Sequence, residues 1–164
     1  MSNKVLIMAG GTGGHIFPAL AIAKELSARG ADIVWLGGKG GMEESIVPKH
    51  GYPLNCIHSS GLRGKSLIAF IKGICSLGLG FIQTISIFLK NKPNIVIGMG
   101  GYASGVGGIV AKIFSTRLVI HEQNAIPGTT NRLLSRIANK SFQAFDNSFD
   151  SKVKAVTVGN PILF

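Results

Sequence analysis

The chain has 164 residues, of which 46% are hydrophobic and 15% charged, so it can bury a sizeable core as one domain and is too apolar for a disordered segment. Its 23 glycines lie in tight clusters, which indicates glycine-rich loops and excludes a collagen-like repeat. Two cysteines are too few for a disulfide framework and fit a reducing compartment.

The net charge is +10, from 17 Lys and Arg against 7 Asp and Glu, and it is spread over both halves of the chain. No basic run is interleaved with aromatic residues, and no zinc-ligand spacing occurs, so nucleic acid is not the expected partner. A polyanionic substrate or an anionic membrane surface accounts for the charge.

Apolar runs and glycine or proline breaks predict an alternation of strands and helices along the chain. The predicted strands are 4–9, 32–36, 54–58, 94–97, 118–121, 141–144 and 155–158. The predicted helices are 19–29, 42–49, 67–89, 104–114 and 129–138, with Pro18 in the first turn of the first helix. The strands are continuously apolar, which is typical of strands buried on both faces. We therefore expect one domain over 1–164, an α/β fold with a doubly wound, Rossmann-like parallel sheet of six or seven strands.

The segment 67–89 is long enough to span a bilayer but contains glycines and polar residues. We expect a crossover helix, broken near Gly78 or Gly80. One helical stripe is predicted to pack on the sheet, and it comprises the apolar residues at 67, 70, 71, 74, 77, 81, 85 and 88. The other apolar positions, including Leu79 and Ile82, are left for a membrane surface.

Two glycine loops each join a strand to a helix. The first has the sequence Gly-Gly-Thr-Gly-Gly-His over 10–15 and indicates an anion site at a helix N-terminus. Ile16 replaces the last glycine of the dinucleotide fingerprint there, and no acidic residue ends the second strand. The second loop, over 98–103, does fit that fingerprint, with Glu122 at a later strand end, so a nicotinamide-dependent enzyme remains an alternative.

Three further motifs add polar groups. The segment 59–66 lacks the P-loop spacing, so an ATPase is not expected, but Arg63 and Lys65 can bind a phosphate or a lipid headgroup. His-Glu-Gln-Asn over 121–124 follows a strand at the sheet edge where α/β proteins bind ligands, which suits a sugar. No cluster of ligands has the spacing of a metal site, so no metal is expected. Outside the nicotinamide-dependent alternative, no other cofactor is expected.

Together these motifs resemble one family over nearly the whole chain. The matching sequences are GGTGGH at 10–15, SGLRGK at 60–65, GMGGY at 98–102, HEQN at 121–124 and VGNP at 158–161. They resemble the MurG family, the N-acetylglucosaminyltransferases of lipid-linked peptidoglycan synthesis. The resemblance implies the N-terminal, acceptor-binding half of a two-domain GT-B enzyme, with the C-terminal donor domain absent from this chain.

The resemblance also implies a reaction and a location. The family transfers N-acetylglucosamine (GlcNAc) from UDP-GlcNAc to undecaprenyl-pyrophosphoryl-MurNAc-pentapeptide (lipid I) and forms lipid II with inversion. The expected location is peripheral, on the cytoplasmic face of the bacterial inner membrane. By the same resemblance, His15 and Glu122 are rival catalytic bases. Leu163 stands where the family tends to have arginine, and the 164 residues alone are expected to be inactive.

The resemblance further assigns three groups of residues. The donor side of the cleft is lined by Thr12, Gly13, Gly14 and Asn124. The acceptor pyrophosphate is bound by Gly11, Gly13, Gly14, His15, Gly100, Gly101 and Tyr102. The membrane surface includes Arg63, Lys65, Leu79, Phe81 and Ile82. A non-catalytic domain that binds a lipid pyrophosphate or a membrane is a further alternative to the transferase and the nicotinamide-dependent enzyme.

Overall fold

The computed structural model of the protein describes residues 3–58 and 67–163. Within these ranges seven strands form one sheet in the order β3-β2-β1-β4-β5-β6-β7. Every neighbouring pair is parallel, which confirms the predicted doubly wound sheet. The strands are β1 (Lys4–Met8), β2 (Asp32–Gly38), β3 (Leu54–Ile57), β4 (Ile95–Gly98), β5 (Arg117–Glu122), β6 (Lys140–Gln143) and β7 (Val156–Thr157).

Helices connect these strands. They are α1 (Gly13–Ala28), α2 (Glu43–Ile46), α3 (Leu67–Asn91), α4 (Gly101–Ile113) and α5 (Thr129–Leu134), with short 3₁₀ turns at Val47–His50 and Ser151–Val153. None of the helices in the described ranges has the length and apolarity needed to cross a bilayer.

The helices cover both faces of the sheet. Alternate side chains of β1 point to opposite faces, so Leu6 and Met8 pack with α3, α4 and α5, whereas Val5 and Ile7 pack with α1 and α2. This two-sided burial explains why the strands are continuously apolar in the sequence.

Two sequence predictions about helices are wrong. Helix α1 begins at Gly13, so Pro18 is its sixth residue rather than a first-turn residue. Proline so close to the N-terminus removes only the amide that would bond to the carbonyl of Gly14, and the helix continues. Helix α3 is unbroken through Gly78 and Gly80. Gly80 is part of the helix, and it packs closely against Tyr102, because an added Cβ would lie 2.7 Å from the Tyr102 hydroxyl.

The strand order reverses between β1 and β4. Helix α1 leaves β1 toward one face and α4 leaves β4 toward the other, so their N-termini open a crevice at the carboxyl ends of these neighbouring strands. In open α/β sheets this topological switch point is where ligands bind. Both glycine loops lie at this point.

Candidate functional site

The first glycine loop leads from β1 into α1. Gly11 has φ +89°, a left-handed conformation that glycine adopts without strain. Gly13 and Gly14 are the first two residues of α1, where amides have no intrahelical carbonyl partner. These amides and the positive end of the helix dipole can bind an anion.

The buried carboxylate of Glu43 is hydrogen-bonded to this loop. Glu43 is only 1% exposed; its Oε2 accepts a hydrogen bond from the amide of Gly11 at 3.1 Å, and its Oε1 accepts one from Gly38 at 2.7 Å. A Cβ on Gly10 or Gly41 would overlap this carboxylate, so the surrounding glycines make room for it. Because the amide of Gly11 is bonded to Glu43, it is not free to bind an anion, in contrast to the prediction for Gly11.

The second glycine loop lies against the first. Gly101 has φ +82°, and a Cβ there would lie 2.7 Å from the carbonyl oxygen of Gly10. Gly100 has φ +111° and faces the imidazole of His15, which would lie 2.7 Å from an added Cβ. The hydroxyl of Ser104 accepts a hydrogen bond from the amide of Gly100 at 3.1 Å and so supports the loop from α4. The structure therefore brings both loops and His15 together.

His15 is half-buried in the first turn of α1, and its ring nitrogen Nδ1 lies 2.8 Å from Oε1 of Gln123. The side-chain nitrogen Nε2 of Gln123 contacts His121. It lies 2.8 Å from the backbone carbonyl oxygen of His121 and 3.2 Å from Nδ1 of the His121 ring. Nε2 of His121 in turn lies 2.9 Å from the carbonyl oxygen of Gly159. Burial lowers the pKa of His121 below its usual value.

Glu122, the rival base, is fully buried and its carboxylate accepts four hydrogen bonds. Oε1 accepts from the backbone and side-chain nitrogens of Asn124, both at 2.9 Å. Oε2 accepts from the amide of Gly128 at 3.1 Å and from Nδ2 of Asn131 at 2.9 Å. These bonds fix the turn between β5 and α5 and leave no carboxylate oxygen for the ribose of a nicotinamide cofactor.

Two other predicted residues differ in their surroundings. Asn124 is exposed at the sheet edge, with its amide nitrogen on Glu122. Tyr102 packs against the core, and its hydroxyl is buried beside Gly80 of α3 with no hydrogen-bond partner among the described residues. Burial raises the pKa of the Tyr102 hydroxyl. In this structure the Tyr102 hydroxyl therefore packs on α3.

The predicted membrane residues separate into three groups. Leu79 and Ile82 are exposed on α3, Ile82 to 65%. Phe81 instead packs against the core on the sheet side, as the helical stripe predicts. Arg63 and Lys65 lie outside the described residues. Other apolar side chains are also exposed on α3, on α4 and at the C-terminal cap of α4. We refer to all of them together as the α3–α4 patch, which comprises Leu79, Ile82, Leu89, Ile109, Ile113 and Phe114.

Sequence reasoning missed Glu43 and Ser104, and it named Gln123 only as part of the polar run at 121–124, without its contact with His15. The glycines shortly before Glu43 are the signal that a buried side chain needs space there, since a Cβ on Gly37 or Gly41 would overlap the Glu43 side chain. Gln123 lies within the polar run that follows β5, but periodicity could not show that it faces His15. In the part of the chain that the structure describes, no three His, Cys, Asp or Glu side chains form a group that could hold a metal ion.

Comparison with known proteins agrees with this geometry. The model of the glycosyltransferase family 28 N-terminal domain matches residues 5–143. A crystal structure of MurG from Acinetobacter baumannii superposes with a TM-score of 0.85 at 38% identity, over 97% of this chain and 46% of that one.

Two curated relatives carry the name UDP-N-acetylglucosamine--N-acetylmuramyl-(pentapeptide) pyrophosphoryl-undecaprenol N-acetylglucosamine transferase. The relative from Vesicomyosocius okutanii subsp. Calyptogena okutanii (strain HA) is 58% identical over 99% of this chain and 47% of its own length. The relative from Methylococcus capsulatus (strain ATCC 33009 / NCIMB 11132 / Bath) is 48% identical over 99% of this chain and 46% of its own length. The chain thus spans about half the length of these relatives.

Proposed function

Because this chain belongs to glycosyltransferase family 28, as its N-terminal domain, we propose that it is the acceptor-binding half of an N-acetylglucosaminyltransferase of peptidoglycan synthesis. The proposed reaction transfers GlcNAc from UDP-GlcNAc to the 4-hydroxyl of the MurNAc sugar in lipid I and forms lipid II with inversion. The names of the curated relatives support this donor and this class of acceptor. No cofactor is part of the proposal.

The observation that carries the proposal is the meeting of the two glycine loops beside His15 at the switch point of the sheet. Gly13 and Gly14 offer amides at a helix N-terminus, and Gly100 and Gly101 allow close approach because they have no Cβ. We propose that this crevice binds the pyrophosphate of lipid I and presents the attached sugar to His15.

His15 is the proposed general base. Its Nε2 takes the proton of the acceptor hydroxyl while the hydroxyl oxygen attacks the anomeric carbon of GlcNAc. The bond from that carbon to the phosphate oxygen breaks, and UDP leaves with the bonding electrons. Glu122 is a poorer candidate because it is fully buried and each of its carboxylate oxygens already accepts two hydrogen bonds.

The donor side of the cleft is proposed to include Thr12, Gly13, Gly14 and Asn124, which lie at the open edge of the sheet. Most contacts to uridine and to the donor sugar are assigned to a C-terminal domain, in line with the length of the relatives. The 164-residue chain alone is therefore expected to bind acceptor without turning over donor.

The α3–α4 patch supports a proposed peripheral position on the membrane. Six apolar side chains are exposed on two packed helices, and Lys90 and Lys112 directly neighbour two of them in the sequence. Apolar side chains rimmed by lysines favour adsorption to anionic lipid. We propose that the patch rests on the cytoplasmic face of the bacterial inner membrane, where the lipid tail of the acceptor is anchored.

The direct test joins this chain to the C-terminal half of the Methylococcus capsulatus relative and measures GlcNAc transfer from UDP-GlcNAc to a short-chain analogue of lipid I. Transfer with release of UDP is expected from the joined protein and not from the 164-residue chain. Saturable binding of NAD(H) by this chain, with no binding of the acceptor analogue, would favour the nicotinamide-dependent alternative instead.

A further inference from the structure

We propose that Gln123 is a positioning residue that holds His15 in the tautomer with its hydrogen on Nδ1, so that Nε2 remains the proton acceptor. The inference deepens the proposed function and rests on it for the catalytic consequence. The tautomer itself is a property of this chain and can be measured without turnover.

The orientation of the Gln123 amide is fixed on the side away from His15. Its nitrogen lies 2.8 Å from the carbonyl oxygen of His121. A carbonyl oxygen only accepts, so the atom that faces it must be the NH₂ group. The reverse orientation would place two oxygens in contact at that distance. Oε1 of Gln123 therefore faces His15.

The imidazole of His121 supports the same orientation. Its Nε2 lies 2.9 Å from the carbonyl oxygen of Gly159, so that nitrogen carries the hydrogen. Burial favours the neutral ring, which leaves a lone pair on Nδ1. This lone pair can accept the second hydrogen of the Gln123 amide across 3.2 Å. Two acceptors on His121 thus face the NH₂ group of Gln123.

The tautomer of His15 follows from this arrangement. Oxygen Oε1 of Gln123 accepts only, and it lies 2.8 Å from Nδ1 of His15, so Nδ1 must donate its hydrogen. In the neutral ring Nε2 then has the lone pair, and no hydrogen bond among the described residues uses it. Once Nε2 has taken a proton from the acceptor hydroxyl, the hydrogen bond from Nδ1 to Gln123 still holds the charged ring in place.

The same network extends to the segment that follows β7. The carbonyl oxygen of Gly159 bonds to His121, and the side-chain nitrogen of Asn160 donates to the carbonyl oxygen of Gln123 at 3.1 Å. The orientation of Gln123 therefore depends on a segment that is distant in sequence from His15. If Gln123 only filled space, the donors and acceptors from His15 to Gly159 would not need to match at each step as they do here.

The test is ¹⁵N NMR of the histidine rings in the 164-residue chain at a pH where His15 is neutral. We expect His15 as the Nδ1–H tautomer and His121 as the Nε2–H tautomer. Replacement Gln123→Met should release His15 into a mixture of tautomers, because the methionine side chain offers no acceptor oxygen to Nδ1 of His15. The matched control is Gln83→Leu, which removes a Gln–His contact of the same kind at His58 and should leave His15 unchanged.

An Nε2–H tautomer of His15 in the unsubstituted chain would overturn the proposal without any variant, so the test does not depend on the folding of Gln123→Met. Unchanged His15 signals in a folded Gln123→Met protein would overturn it as well.

In the joined two-domain enzyme, Gln123→Met should lower kcat by roughly 10- to 100-fold, as when a hydrogen-bond partner of a ligating histidine is removed, and leave KM for UDP-GlcNAc nearly unchanged. If Gln123→Met changes the tautomer of His15 but the unsubstituted joined enzyme transfers no GlcNAc, the proposed function is contradicted and the positioning role of Gln123 still holds. A tautomer change without loss of kcat would contradict the catalytic consequence.

Discussion

The carboxylate of Glu43 accepts a hydrogen bond from the amide of Gly11 at 3.1 Å, and its other oxygen accepts one from Gly38 at 2.7 Å. The residue thereby connects the loop after β1 to the end of β2. It lies beneath the glycine loop and is almost completely buried. This contact determines which amides of the loop remain available to a ligand.

Replacement Glu43→Ala is expected to lower the free energy of unfolding by about 2–4 kcal/mol, because the amides of Gly11 and Gly38 lose charge-assisted bonds and Gly38 stays buried. Urea denaturation measures the change. The matched control is Glu25→Ala, which removes an exposed carboxylate paired with Arg29 and should change stability by less than about 0.5 kcal/mol. Equal effects of the two substitutions would refute the structural role of Glu43.

Gly100→Ala should displace the imidazole of His15. The added Cβ would lie 2.7 Å from Cε1 of that ring, and φ +111° is strained for alanine. We expect altered ring signals of His15 in NMR and, in the joined enzyme, a reduced kcat. Gly105→Ala on the same helix is the control, because its Cβ would make only an ordinary contact with Thr130 at 3.5 Å. If both variants leave the ring signals unchanged, the close approach of the two loops is not as described.

The alternation of strands and helices and the two glycine loops could be predicted from sequence because they depend on local signals: buried strands are continuously apolar, and glycines mark the turns. The difference between His15 and Glu122 could not be predicted in this way. Both residues belong to polar or glycine-rich motifs. Only three-dimensional contacts show that Glu122 is bonded to Asn124 and Asn131, whereas no hydrogen bond within the described residues uses Nε2 of His15. Phe81 is a different case, because helical periodicity places it on the stripe that meets the sheet, where the structure has it, and only the family resemblance placed it on the membrane surface.

The stability of the fold should decrease as the pH falls below about 6.5, the usual pKa of an unfolded histidine, because His121 is buried. Its folded-state pKa is lowered, so in the window between the two pKa values the unfolded chain binds more protons than the native one. The stabilisation is complete above the unfolded pKa and is lost toward the folded one. Urea titrations at pH 7.5 and pH 5 give the free energy of unfolding at each pH. The difference between these two free energies should be smaller for His121→Phe than for the unsubstituted protein. An identical pH dependence in both proteins would contradict the burial of a neutral ring.

The α3–α4 patch can be tested with the two cysteines. Cys75 is exposed on α3, and Leu79 and Ile82 follow it on the same helix face. Anionic vesicles should slow the reaction of Cys75 with a polar maleimide at low salt, and high salt should restore it. Cys56 is the internal control: burial and Glu44 raise its pKa to about 11, so its thiol reacts slowly with or without vesicles.

Ile82→Asp should abolish the protection of Cys75, whereas Ile162→Asp, an equally exposed apolar side chain away from the patch, should preserve it. Protection that is the same with neutral and anionic vesicles would show that the lysines do not contribute. Protection that survives Ile82→Asp would place the lipid contact elsewhere.

The kcat of His15→Ala in the joined two-domain enzyme tests the central claim most directly. We expect kcat to fall by ~10²–10⁴-fold, the usual contribution of a general base, with KM for UDP-GlcNAc nearly unaltered. Circular dichroism verifies that the variant is folded. Retention of most of kcat by folded His15→Ala would contradict the assignment and would reduce His15 to a residue that binds the pyrophosphate.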